Sequence, residues 1–171
     1  KCFIFFFPVG AVGAGDDPAA NLAVTQGFIA DAAAEGAEFI LTPEVTNCVS
    51  ASRTRQKEVL RREEEDESLP AFRAQAKELG VWLLIGSLAV KTDDADGRFA
   101  NRSFLIGPGG DIVARYDKIH MFDVEVSPEE TYRESAGYRP GDRAVVADTD
   151  FGRVGLSICY DIRFPRLYLA L

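Results

Sequence analysis

An α/β fold of the sandwich type is what this sequence predicts, on three observations. A helix bounded by cap and stop signals lies between two apolar, strand-like runs; the helix-then-strand order repeats once; and consecutive strands joined by turns follow. The 171 residues, 47% hydrophobic and 27% charged, supply enough apolar material for the core of one domain.

The opening KCFIFFFPVGAVGAG carries one leading Lys and a short apolar run before Asp16-Asp17-Pro18, so it reads as a buried first strand rather than a signal peptide. Asp17 before Pro18 is an N-cap with proline at the first helical position. Leu22, Thr25, Ile29, Ala32 and Ala33 then recur at helical spacing until Gly36, which predicts an amphipathic helix. Glu38 to Thr42 (EFILT) is a short buried strand ending at Pro43-Glu44, and the first unit is β-α-β.

The charged run from Arg53 to Glu67 is expected to be a solvated helix face or loop, and no function is assigned to it. A second helix from about Pro70 to Leu79 stops at Gly80 and leads into the strand VWLLIGSLAV. Strands follow at Phe99 to Ile106 and Ile112 to Tyr116, joined by a Gly107-Pro108-Gly109-Gly110 turn. Two more are expected at Ala144 to Asp148 and Val154 to Ile158, and another helix begins at Pro165. The irregular stretch from Asp117 to Asp142 is long enough to mark a functional loop.

Composition narrows the partners. A net charge of -8 and a pI near 4.7 argue against nucleic acid, which needs a clustered basic surface, and favour a small molecule. Cys2, Cys48 and Cys159 are odd in number, at unrelated spacings and without a CxxC pair, so neither a disulfide framework nor a zinc site is expected. No apolar stretch approaches the roughly 20 residues of a membrane helix, and a cytoplasmic protein is expected.

Three residues are candidates for chemistry. Cys159 ends the strand-like RVGLSI and precedes YDIRFPRLYLAL, a strand-to-helix elbow that exposes one side chain. A thiol there can be ionised by nearby positive charge, with the Tyr160 N–H as one oxyanion donor; the alternative is a free cysteine packing as a small hydrophobe. Glu44 stands at the C-terminal end of a strand, where open α/β sheets place ligands, and fits a general base; the alternative is a capping or surface glutamate. Lys118 follows the strand DIVARY and can set a fixed positive charge beside a developing oxyanion; the alternative is an exposed lysine.

Taken together, FILTPE, YDKIHMFDVEV and VGLSICYDIRFPRLY resemble the nitrilase, or carbon-nitrogen hydrolase, superfamily. GVWLLIGSLAV, FANRSFLIGPGGDIVARYDK and YRESAGYRPGD resemble its Nit-type amidase branch, whose members act as ω-amidases or deaminated glutathione amidases. The resemblance implies an αββα four-layer sandwich and a Glu-Lys-Cys triad of Glu44, Lys118 and Cys159. It implies a further active-site acid at Glu134, a structural His120, hydrolysis of small amides through a Cys thioester, and no metal or organic cofactor. It also points to Arg163 in the C-Y-D-x-R-F string as the partner of a substrate carboxylate, against the alternative that Arg163 pairs with Asp161.

The resemblance departs at both ends. KCFIFFF lacks the A-x-x-Q pattern of the family's first strand, and the strands and helices that follow the cysteine in family members are not in this chain. Residues 1–171 are therefore expected to be the N-terminal part of the domain, truncated after the nucleophile elbow. An incompletely covered sheet is expected to associate, making a homo-oligomer. The competing reading is a non-catalytic fragment or interaction module that retains the triad residues without a complete pocket.

Overall fold

A computed structural model describes residues 15–171 and the backbone of Ile4–Phe5. Cys2 and the rest of the opening apolar run lie outside the described residues. β1 (Ile4–Phe5) pairs in parallel with β2 (Phe39–Leu41), which pairs in parallel with β3 (Trp82–Lys91). β4 (Phe99–Ile106) and β5 (Ile112–Asp117) then add antiparallel, giving a five-stranded sheet in the order β1-β2-β3-β4-β5.

The parallel part is connected by α1 (Pro18–Ala34) and α3 (Ser68–Leu79). α1 starts where Asp17 and Pro18 set it: the Asp17 carboxylate accepts from the amides of Ala19 (3.0 Å) and Ala20 (3.3 Å). Gly36, at φ 89°, and Gly80, at φ 66°, end the two helices in the left-handed region that glycine tolerates. Ile29 and Ala32 of α1 and Phe72 and Ala76 of α3 pack on Ile40, Leu83, Ile85, Phe104 and Ile106, all within the largest core cluster.

Because side chains alternate across a strand, the neighbours of those residues face the other way. Phe39, Trp82, Leu84 and Leu105 meet Ala147 of a small hairpin, β8 (Val146–Thr149) with β9 (Gly152–Gly155), on the opposite face. The described residues thus form a helix layer, a full sheet and the beginning of a second sheet.

Several elements differ from the sequence expectation. The last strand stops at Gly155 instead of reaching Ile158, and Cys159–Arg163 is a 3-10 turn leading into α4 (Pro165–Ala170). The stretch from Asp117 to Asp142 is not irregular throughout. It holds a hairpin, β6 (Asp123–Ser127) with β7 (Glu130–Arg133), and a 3-10 turn at Glu134–Ala136.

The charged run contains α2 (Arg53–Val59) and is only partly solvated. Asp66 is buried and accepts from the Ser68 (2.9 Å) and Leu69 (3.0 Å) amides at the start of α3. Glu63 bridges Arg102 (2.8 Å) and Arg115 (2.7 Å), so part of the run is consumed by folding.

Candidate active site

Glu44, Lys118, Glu134 and Cys159 line one cavity of about 430 Å³, within the range of small-molecule sites, roughly 300–1,000 Å³. They arrive from four separate pieces of backbone, each held by a local device.

Glu44 follows β2 in a turn seated on a bulge of β3. Pairing between β3 and β4 shifts between Ile85 and Leu88, and the displaced backbone meets the turn. The Thr46 amide donates to the Ser87 carbonyl (2.8 Å), the Val45 amide to Ser87 Oγ (2.7 Å), and the Gly86 amide to Thr42 Oγ1 (3.1 Å). Gly86 has no room for a side chain, since a Cβ there would come within 2.6 Å of the Pro43 carbonyl oxygen. Val45, at φ 52°, completes the turn in a conformation that β-branched residues avoid.

Lys118 continues β5. Its amide donates to the Asn101 carbonyl (2.9 Å) and its carbonyl accepts from Gly141 (2.7 Å), while its side chain is 2% exposed. Nζ lies 3.0 Å from Glu44 Oε1 and 3.0 and 2.9 Å from the two oxygens of Glu134. Burial alone would lower the Lys118 pKa, but the two carboxylates outweigh it and the pKa is raised. The ammonium is therefore charged throughout the neutral range.

Cys159 stands at φ 46°, an uncommon left-handed conformation for a residue with a side chain, and is exposed to the cavity. The elbow is tied down by Asp161, which is fully buried. Its carboxylate accepts from the Ile158 amide (3.0 Å), the His120 amide (2.9 Å) and the Tyr116 hydroxyl (2.6 Å), and lies 2.7 Å from His120 Nδ1. Tyr116 and His120 flank Lys118, so one carboxylate locks the cysteine turn to the strand end that carries the lysine. The His120 ring stacks on Phe164 at 3.6 Å between centroids and is not part of the cavity lining.

The thiol is not pre-ionised. Desolvation raises the Cys159 pKa first, the negative charge of Glu44 adds to it, and the opposing pull of Lys118 does not compensate. Proton transfer to a base, not a resting thiolate, is what this arrangement offers.

Sequence reasoning did not single out Asn101, a 1% exposed residue of β4. Its Nδ2 donates to Glu44 Oε1 (2.8 Å) and reaches Glu134 Oε1 (3.5 Å), so the amide holds the two acids in register. The Phe122 amide donates to Glu134 Oε2 (2.6 Å). Asn101 shares FANRSFLI with Arg102 and Ser103, so the string did not single it out. Tyr160 packs edge-on against Phe122 and Phe164, and Arg163 is exposed with no ion pair among the described residues; neither side chain lines the cavity. Among the described residues no group of three or more His, Cys, Asp or Glu is placed to hold a metal ion.

The family model described as Carbon-nitrogen hydrolase matches residues 9–171. The chain belongs to the carbon-nitrogen hydrolase family. Among its relatives is a deaminated glutathione amidase of Yersinia enterocolitica, 44% identical over 100 residues, which span 58% of this chain and 35% of that protein. The human omega-amidase NIT2 is 36% identical over 152 residues, 86% of this chain and 51% of that protein. Of solved structures, the C. elegans NitFhit protein superposes with a TM-score of 0.81 at 29% identity, over 92% of this chain and 38% of that one. Saccharomyces cerevisiae Nit3, of the nitrilase superfamily, has the same fold, with a TM-score of 0.73 at 24% identity over 93% of this chain and 56% of its own. The mixed α/β architecture is thus that of nitrilase-superfamily structures, and the chain spans about half the length, or less, of the relatives it matches. Two of these relatives are named as amidases.

Proposed function

We propose that the site hydrolyses small amides through a thioester on Cys159, with Glu44 as base, Lys118 as electrophile and Glu134 as the acid that holds Lys118, in a cytoplasmic homo-oligomer of which residues 1–171 are the N-terminal part. The observation that carries this reading is the buried Lys118 ammonium, held at 3.0 Å by Glu44 and at 2.9 Å by Glu134 in the same cavity as an exposed thiol.

Glu44 Oε1 is occupied by Lys118 and Asn101, which leaves Oε2 for the thiol. Glu44 takes the thiol proton and sulfur attacks the amide carbon; the carbonyl π pair moves to oxygen, where the Lys118 charge and the Tyr160 N–H receive it. As the pair returns, the C–N bond breaks and Glu44 passes its proton to the departing nitrogen. Glu44 then draws a proton from water, whose oxygen attacks the thioester; the acid leaves and the thiol recovers its proton.

The test is Cys159→Ala in the protein that carries this chain. Turnover of small aliphatic amides is expected to vanish with the thermal midpoint unchanged, and an acyl adduct of intact protein is expected in wild type under rapid quench. Amide turnover that survives the substitution refutes the thioester. A wild type that gives neither turnover nor adduct supports the second reading, a triad-bearing fragment without a competent pocket, for which the partial coverage of its relatives is the motive.

A further inference from the structure

The side-chain carbonyl oxygen of Asn101, Oδ1, is sealed from solvent and has no hydrogen-bond partner among the described residues, although the residue lines the cavity. An unpaired buried acceptor costs stability, and a leucine, with the same branching, would serve the core of β4 better. What accounts for the amide is its other end. Nδ2 donates to Glu44 Oε1 (2.8 Å) and reaches Glu134 Oε1 (3.5 Å). Turning the amide over would set Oδ1 against two carboxylate oxygens, acceptor against acceptor, so the acids fix its orientation.

The same two oxygens are held by Lys118 Nζ, each at 3.0 Å. Glu44 Oε1 and Glu134 Oε1 therefore converge on two nitrogens, one charged and one neutral. A single ammonium offsets one of the two negative charges. Carboxylates this close repel, and without donors between them they relieve the repulsion by holding one proton in common. Such a proton disables the site, because a Glu44 that already carries it accepts none from the thiol. The other titratable side chains on the cavity wall are Cys159 at the elbow, Arg53 of α2, Tyr132 and Arg133 of β7, and Tyr138. Of these the Cys159 thiol bonds Glu44, and the rest make no hydrogen bond to either acid among the described residues. The donors that separate the two acids are thus Lys118 and Asn101.

We propose that Asn101 is a positioning residue for the reaction: its amide stands between Glu44 and Glu134, keeps them from sharing a proton, and so leaves Glu44 free to take one from Cys159. This rests on the reading of Glu44 as the base and deepens it. An amide N–H suits the place because it donates and does not give up its proton, whereas a carboxyl or water there could pass one to either acid. The spacing of the two donors is built into the sheet, since the Lys118 amide donates to the Asn101 carbonyl at 2.9 Å.

The experiment reads the acid limb of the kcat/KM profile, which reports the free base, in the protein that carries this chain. Asn101→Leu removes the donor; the limb is expected to move up by roughly one pH unit, with KM little changed and the thermal midpoint largely retained. Asn101→Asp keeps the shape and adds a third carboxyl to the pair, and a larger upward move is expected. Carbon NMR of carboxyl-labelled glutamate follows the acids without turnover. The signals lost in Glu44→Gln and Glu134→Gln should titrate at higher pH in Asn101→Leu than in wild type. If limb and carboxyl titrations stay in place in both variants while activity falls, Asn101 is a packing residue and the proposal is overturned; a move to lower pH overturns it as well. If the carboxyl titrations shift while amide turnover is absent or its acid limb stays in place, the amide separates the acids as proposed, and it is the reading of Glu44 as the base that fails.

Discussion

Cys159 is subject to opposed electrostatic influences, and their balance makes a dissociation visible. Desolvation and the Glu44 charge raise the thiol pKa, while Lys118 lowers it. Glu44→Gln removes the negative charge and leaves Lys118 in place, so the midpoint of Cys159 alkylation by iodoacetamide is expected to move to lower pH. The same substitution removes the base, and kcat is expected to fall by roughly 10²–10⁴. A thiol that becomes more readily ionised while the enzyme becomes slower is the signature of general-base activation; a midpoint that moves upward, or an unchanged kcat, would show that Glu44 has neither role. Sign and window follow from the direction: the wild-type thiol gains its negative charge above the ordinary thiol range of about 8.5, and the variant nearer to it. Cys48, fully buried, serves as the slow internal control.

At the scale of elements, catalytic placement depends on an irregularity in a strand. The bulge at Gly86-Ser87 of β3 holds the Thr42–Thr46 turn by four amide hydrogen bonds, and Glu44 rides on that turn. Gly86→Ala puts a methyl group against the Thr42 and Pro43 carbonyl oxygens, which are backbone and cannot swing aside. The turn must shift, at a cost of about 1–3 kcal/mol in stability by denaturant unfolding. Activity per folded molecule should fall as well, because a displacement of Glu44 by a fraction of an ångström spoils its reach to Lys118 and Cys159. Activity that declines only as far as the folded fraction would show that the bulge is structural and leaves Glu44 in place. The β6–β7 hairpin acts at the same scale, since Tyr132 and Arg133 at its end enter the cavity lining.

Over the whole molecule, one face of the sheet is closed and the other is not. α1 and α3 cover Leu83, Ile85, Phe104 and Ile106, all fully buried. The other face carries the small β8–β9 hairpin, whose Phe151 (47% exposed) packs on Phe39 and Trp82, and Ile162 (70%) and Leu169 (87%) of the segment after Cys159 are exposed as well. Apolar surface of this kind is rarely left open in a monomer. The 171-residue chain expressed by itself is expected to associate through that face, with a light-scattering mass of at least twice 18.7 kDa. Ile162→Glu with Leu169→Glu should shift it toward smaller species by placing charges in the contact. A monodisperse monomer at micromolar concentration contradicts this. Among the described residues no helix is long and apolar enough to cross a membrane.

What the sequence by itself determined was local or carried by short strings. Asp17-Pro18 and Gly36 bound α1 because capping and left-handed termination are properties of a few adjacent residues. The apolar runs marked the core strands, and the strings around Glu44, Lys118 and Cys159 pointed to one family. The β6–β7 hairpin escaped notice because DVEVS and ETYR are charged and largely exposed, so burial left no apolar signature in them. The last strand was drawn too long because Leu156 and Ile158 are buried like strand residues, yet after one more amide bond, Leu156 to the Val145 carbonyl (3.0 Å), the Ile158 amide turns to the Asp161 carboxylate (3.0 Å). Only the tertiary structure decided the contacts between residues far apart in the chain. Asn101 joins Glu44 across 57 positions, Asp161 ties the Cys159 elbow to Tyr116 across 45, and Arg53 meets Tyr138 over Gly137. Sequence spacing holds no information on such meetings, because sheet order and register set them, and these follow from the packing of the whole domain.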